Sequence, residues 1–238
     1  QFRRNPRLGL DDDTAGQHLQ FQKVYSQGQT QGAGTIQGLD EPRRILISPD
    51  DRSVYVTSEA SNTVAVFSRD NDPDSPNFGD LSFIDVYEQG VNGVDGIAGA
   101  QGMAMDSGSQ DLYVAGSFGA SIARFERDPG TGALSFAGRV VNGQDVDGEL
   151  VVSGLDGIRS LAITADNEQL IGVSAQANAV VVFDRDTAVG DTTGELTFKQ
   201  ALTTDVGSRL VNLSIPGSTA QAADRHVYVV GENSSTVA

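Results

Sequence analysis

Long polar side chains recur at one spacing in this chain. Arg43, Gln101 and Arg159 follow one another at intervals of 58 residues, and Arg209 is a looser fourth member. Asp40 and Asp156 accompany the set in Gly38-Leu39-Asp40 and Gly154-Leu155-Asp156. Guanidinium forks bind carboxylate and phosphate through paired hydrogen bonds. If these positions converge, they suit a small anionic ligand. If each Arg pairs with its neighbouring Asp instead, the pair only fixes a loop.

A second candidate is Asp70-Asn71-Asp72-Pro73-Asp74-Ser75-Pro76-Asn77. Alternating carboxylates such as Asp70, Asp72 and Asp74 could ligate calcium, which takes six to eight oxygens. Pro73 and Pro76 interrupt the usual loop, so the competing reading is a polar turn between strands. Asp11-Asp12-Asp13 and Asp184-Arg185-Asp186 fall at the same junction elsewhere, which favours the turn. Calcium is the one cofactor these residues could take; otherwise none is expected. His18 and His226 are the only histidines; His226 reads as a strand-edge residue and His18 precedes an outer strand, so neither a zinc site nor a Ser-His-Asp triad is expected. Phosphate-binding loops and nucleophile elbows are likewise missing from the sequence.

The elements that must position these residues come from a repeat. Thr63-Val64-Ala65-Val66-Phe67, Ser121-Ile122-Ala123-Arg124-Phe125 and Ala179-Val180-Val181-Val182-Phe183 alternate with period two and are rich in β-branched residues, which predicts strands. Three more strands recur in the same order around Ile45-Leu46-Ile47, Val54-Tyr55-Val56 and Leu81-Ser82-Phe83, with turn residues such as Ser48-Pro49-Asp50-Asp51 between them. Four short strands per 50–60 residues, roughly, predict an all-β propeller of about four four-stranded blades. The repeats run approximately over 19–80, 81–133, 134–195 and 196–238 plus 1–18, within a single unit, 1–238. Read end to start, Ser-Thr-Val-Ala joins Gln-Phe-Arg-Arg-Asn in the phase of Thr63–Asp70. The N- and C-terminal segments are therefore expected to complete one blade, by closure of the ring, by pairing of two chains, or as a cut piece of a longer array. The recurrent Tyr55, Tyr113 and Tyr228, and the Phe ladder, read as packing between blades.

Ile47-Ser48-Pro49-Asp50-Asp51-Arg52-Ser53-Val54-Tyr55-Val56, Asn62-Thr63-Val64-Ala65-Val66-Phe67 and Arg127-Asp128-Pro129-Gly130-Thr131-Gly132-Ala133-Leu134-Ser135-Phe136 resemble the lactonase-like propellers, the group of 6-phosphogluconolactonase, and the wider YVTN-type surface propellers. The resemblance implies a propeller whose innermost strand is the one at Ile45 to Ser48 and whose outermost is the one at Leu81 to Phe83. The family resembled includes lactone hydrolases, which have seven repeats where this chain has four, as well as many uncharacterised secreted repeat proteins.

Composition narrows the partners. Thirty-two acidic residues against 16 basic ones give a formal net charge of -16. Duplex binding needs clustered cations, so no nucleic acid is expected. No apolar run is long enough to span a bilayer. Cysteine is absent, which removes thiolate chemistry. The start, Gln1-Phe2-Arg3-Arg4, has neither an initiator Met nor an apolar leader, as expected of a processed or excised piece. Taken together, these features lead us to expect a non-catalytic extracellular, periplasmic or cell-surface module that binds a protein or glycan or self-associates. The alternative is a lactonase-like hydrolase acting on a small anionic lactone in the channel.

Overall fold

A computed structural model describes residues 1–4, 19–31, 34–145, 150–190, 192–203, 210–214, 227–231 and 236–237. Arg209, His18, His226 and Asp11 to Asp13 lie outside them. The chain begins with β1 (Phe2–Arg4), β2 (Leu19–Phe21), β3 (Thr30–Gln31) and β4 (Gly34–Thr35). Three complete blades follow. They are β5 (Pro42–Ile47), β6 (Ser53–Ser58), β7 (Thr63–Arg69) and β8 (Leu81–Glu88); β9 (Ala100–Met105), β10 (Asp111–Gly116), β11 (Ser121–Arg127) and β12 (Leu134–Val141); and β13 (Ile158–Ile163), β14 (Gln169–Ser174), β15 (Ala179–Arg185) and β16 (Leu196–Thr203). Each is a four-stranded antiparallel sheet paired in chain order, the propeller architecture that the repeat predicts. The chain ends with the three-stranded sheet β17 (Leu210–Ser214), β18 (Tyr228–Gly231) and β19 (Thr236–Val237).

The two middle strands of the complete blades are more deeply buried than simple alternation predicts. β10 is buried at every residue and β7 along its first five. A blade is covered on both faces by its neighbours, so both sides of its central strands need apolar or satisfied polar residues. The outer strand β12 alternates between exposed and partly covered residues after a buried Leu134, because only one of its faces meets another blade. Between adjacent blades, Met103, Leu112 and Val114 pack on Tyr55, Val64 and Val66, and Leu161, Leu170 and Leu155 pack on Tyr113 and Ile122. Within each blade the third and fourth strands stack phenylalanines edge to face: Phe67 on Phe83 at 5.5 Å, Phe125 on Phe136 at 5.7 Å and Phe183 on Phe198 at 5.5 Å between ring centres.

A buried polar latch joins successive blades. The Tyr55 hydroxyl donates to Gly132 O (2.9 Å) and accepts from Arg127 Nε (2.8 Å). The Arg127 side chain is fully buried and also reaches Asp50 and Ser53. One blade on, the Tyr113 hydroxyl donates to Gly194 O (2.5 Å) and accepts from Arg185 Nε (2.8 Å), while Arg185 pairs with Asp111 at 2.6 Å. Tyr55 and Tyr113 therefore pack between blades, through their hydroxyls as well as their rings, whereas Tyr228 of the terminal sheet is half exposed.

The terminal strands supply a blade's worth of structure in two separate sheets. β1 pairs with β2, and β19 pairs with β18. Each part sits on its own neighbour: Tyr25, after β2, packs on Phe67 of the first blade, whereas Val229 of β18 packs on Ile171 and Val173 of the third. Among the described residues no pairing joins the two parts.

Candidate active site at the channel mouth

The innermost strand of each complete blade carries a bulge near its start. Pro42 faces Ser58 and Arg44 faces Thr57, which leaves Arg43 as the extra residue. Ile158 faces Ser174 and Ser160 faces Val173, which leaves Arg159. The same irregularity falls at Gln101-Gly102, between the pairs Gly116–Ala100 and Val114–Met103. A bulge takes one residue out of the ladder and re-aims its side chain. The 58-residue recurrence of Arg43, Gln101 and Arg159 is thus a recurrence of bulges. In the fourth repeat the bulge falls between Leu210 and Asn212, so Val211 is in phase with the set and not Arg209.

These residues meet others that the spacing argument did not single out. Arg43 forms ion pairs with Glu59 and with Glu41. Gln101 Nε2 donates to Glu59 Oε1 (3.1 Å) and to Ser117 Oγ (3.4 Å). Glu59 and Ser117 occupy the turns between second and third strands, again 58 residues apart, so the signal for them was present in the sequence. Arg44 reaches from the first blade to Ser160 Oγ of the third at 3.2 Å. Gly102 lets the second and third blades touch, since a Cβ there would lie 2.6 Å from Arg159 O and 2.8 Å from Ser160 Cα. Arg43, Gln101 and Arg159 are therefore brought to one end of the innermost strands, with Glu59 between the first two.

In the first blade Arg43 is held by Glu59 and Glu41, and Asp40 is exposed at the turn beside it. Asp156 is also exposed, and its backbone carbonyl accepts from the Gln176 and Ala177 amides. Neither aspartate is turned into the Arg43–Glu59–Gln101 cluster by these contacts. In the acidic loop, Asp70 accepts from the Asp72 amide (3.1 Å) and the Ser75 hydroxyl (2.6 Å), and Asp72 accepts from the Asp74 amide (3.0 Å). Asp70 and Asp72 thus brace the turn itself. Among the described residues no helix is long and apolar enough to cross a membrane.

Comparison with known proteins agrees with this architecture. The family described as Lactonase, 7-bladed beta-propeller, matches residues 20–211. No curated protein matches the chain by sequence. A candidate 6-phosphogluconolactonase from Bacteroides fragilis superposes with a TM-score of 0.58 at 22% identity, over 86% of this chain and 48% of that one. The periplasmic gluconolactonase PpgL of Pseudomonas aeruginosa gives a TM-score of 0.53 at 22% identity, over 71% and 41%. The β-propeller domain of Cps50 from Myceliophteria thermophila gives 0.51 at 9% identity, over 82% and 52%. The chain thus spans about half the length of the solved structures it resembles. The expected non-catalytic binding module is corrected by these matches, which favour the lactonase-like alternative. Charge and repeat content alone could not separate the two, because one fold hosts many activities. With four fifths of its length matched in sequence and its blades built as the family's are, the chain belongs to the lactonase family of seven-bladed β-propellers.

Proposed function

We propose that this chain carries the working mouth of a lactone hydrolase whose substrate is a small anionic sugar lactone. The observation that carries the reading is the repeated bulge, which delivers Arg43, Gln101 and Arg159 to one channel end beside Glu59. Lactone hydrolysis adds water to the ring carbonyl, passes through an oxyanion, and breaks the ring C–O bond to leave a carboxylate and a hydroxyl. Glu59, which ion-pairs with Arg43, takes the proton from the attacking water in this reading. Arg43 and Arg159 suit a phosphate or carboxylate on the substrate, and the Gln101 amide and Ser117 hydroxyl can orient the water or the carbonyl. Names of solved relatives support the substrate class: a candidate 6-phosphogluconolactonase and a periplasmic gluconolactonase. The latter also agrees with a location outside the cytoplasm, where an acidic surface keeps a protein dispersed.

Hydrolysis of 6-phosphogluconolactone and of gluconolactone by the 238-residue chain, read by proton release against the spontaneous rate, tests the reading. We expect acceleration, about a hundredfold lower kcat in Glu59→Gln, and a raised KM in Arg43→Met that is larger for the phosphorylated lactone. A wild-type rate equal to the spontaneous one for both substrates overturns it.

A further inference from the structure

The turns between second and third strands bring a further set of residues to the channel mouth. Their tips are Ala60, Phe118 and Gln176, 58 residues apart. One repeated bond ties each turn to the start of its own innermost strand. The Glu59 amide donates to Glu41 O (3.1 Å), the Ser117 amide to Gly99 O (3.1 Å) and the Ala175 amide to Gly157 O (2.9 Å). The tips therefore stand beside the bulges that present Arg43, Gln101 and Arg159.

Glu41, Gly99 and Gly157 share a left-handed backbone, with φ of 53°, 67° and 67°. Glu41 shows that this position accepts a side chain, so φ alone does not require glycine at the other two. The tip residues do. A Cβ at Gly99 would lie 2.6 Å from Phe118 Cγ and 2.8 Å from Phe118 Cδ2, and one at Gly157 would lie 2.7 Å from Gln176 Cγ. Where the tip is the small Ala60, the strand start carries Glu41. The Phe118 ring is thus seated on the Gly99 backbone, two residues before Gln101. It is nevertheless 66% exposed, and among the described residues it meets no other ring and no cation. Core packing does not account for a ring so placed. Polar groups flank it: Gln101 Nε2 lies 3.4 Å from Ser117 Oγ and donates to Glu59 at 3.1 Å. An apolar surface with a few polar groups at its edge is the make-up of a small-molecule site.

We propose that Phe118 determines specificity as a platform for the C–H face of a ring-closed sugar, with Gln101 and Ser117 meeting the ring's hydroxyls. This rests on the reading of the mouth as a lactone site and names what that site selects. Ring opening turns the substrate into a flexible acid without a continuous C–H face, so the platform holds the lactone and releases the product.

Lactone kinetics of three variants test this. Phe118→Ala should raise KM for gluconolactone about three- to tenfold, the worth of one aromatic contact. Phe118→Leu keeps apolar bulk without an aromatic face and should do the same, whereas Phe118→Trp should keep the wild-type KM. The kcat should hold in all three, since the contact is alike in ground and transition states, and so should the melting temperature, since the side chain is exposed. In a chain with no tryptophan of its own, Phe118→Trp also gives a readout that needs no hydrolysis. Its emission should shift with methyl β-glucoside, a closed ring without a lactone bond, and not with gluconate. An unchanged KM in Phe118→Ala, a wild-type KM in Phe118→Leu, or emission indifferent to the glucoside would each overturn the platform. A wild-type chain that leaves both lactones at their spontaneous rates, while the glucoside still shifts the emission, would sink the hydrolase reading and support the platform.

Discussion

Replacing Tyr113 by Phe removes one oxygen and keeps the ring. That oxygen donates to Gly194 O and accepts from Arg185 Nε, and both partners are buried. The bond to the guanidinium is worth about 1.5–3 kcal/mol and the bond to the neutral carbonyl about 0.5–1.5 kcal/mol, and no water replaces either in a sealed blade interface. The expected loss is therefore about 2–4 kcal/mol. For a domain of this size that lowers the melting temperature by roughly 4–16 °C. Urea unfolding followed by circular dichroism reads it, because the chain has no tryptophan. Arg185→Met and the double variant complete a cycle, and coupling of about 1–3 kcal/mol is expected for groups in direct contact. A loss under about 0.5 kcal/mol in Tyr113→Phe, or no coupling, would refute the view that the hydroxyl ties the second blade to the third. Asp111 keeps its bond from Arg124 Nε (2.9 Å) throughout, so the variant does not strand a buried carboxylate.

Desolvation pushes the Tyr113 and Tyr55 phenols well above their usual range, although the Arg185 and Arg127 charges oppose it. An unfolded chain releases these protons near pH 10, about the ordinary phenol value, while the folded chain still holds them. Stability is therefore complete below about pH 10 and falls as the pH rises toward the folded values; alkaline unfolding should show a shallower slope in Tyr113→Phe, and an unchanged slope would contradict the assignment. Gly102→Ala pushes a methyl against Arg159 O and Ser160 Cα, which should cost about 1–3 kcal/mol and, by displacing Arg159, raise KM in the lactone assay. Wild-type stability in this variant would mean that the second and third innermost strands are not in contact there.

Most of the architecture was legible because the blades repeat at a constant offset and each strand kind has its own pattern. Phe67, Phe125 and Phe183 mark the third strand as clearly in the sequence as in the sheets. Arg43, Gln101 and Arg159 were legible as a recurring position, but the reason for the recurrence, a backbone bulge, leaves no residue-type signature. Glu59 escaped notice because its equivalents are Ser117 and Ala175, so only one of three repeats has a carboxylate there. The latch arginines were hidden for a different reason. Arg127 and Arg185 sit in charged runs that look solvated, and only the packing of one blade on the next makes them core residues. The terminal segments, joined in sequence as one strand, stand in two separate sheets, because pairing depends on which surface each half rests upon.

The third blade differs from the first two in one residue with a mechanical meaning. Where they have Tyr55 and Tyr113, it has Ile171, which packs with Val173, Val227 and Val229 and has no hydroxyl to offer the next sheet. Two seams are stapled by an oxygen held between a guanidinium and a carbonyl; at the third, among the described residues, that place is filled by an aliphatic cluster. In a linear array each seam sets how strongly neighbouring units share their fate. The first three blades should then melt as one block, with β17 and β18 fraying ahead of them like the loose end of a zip.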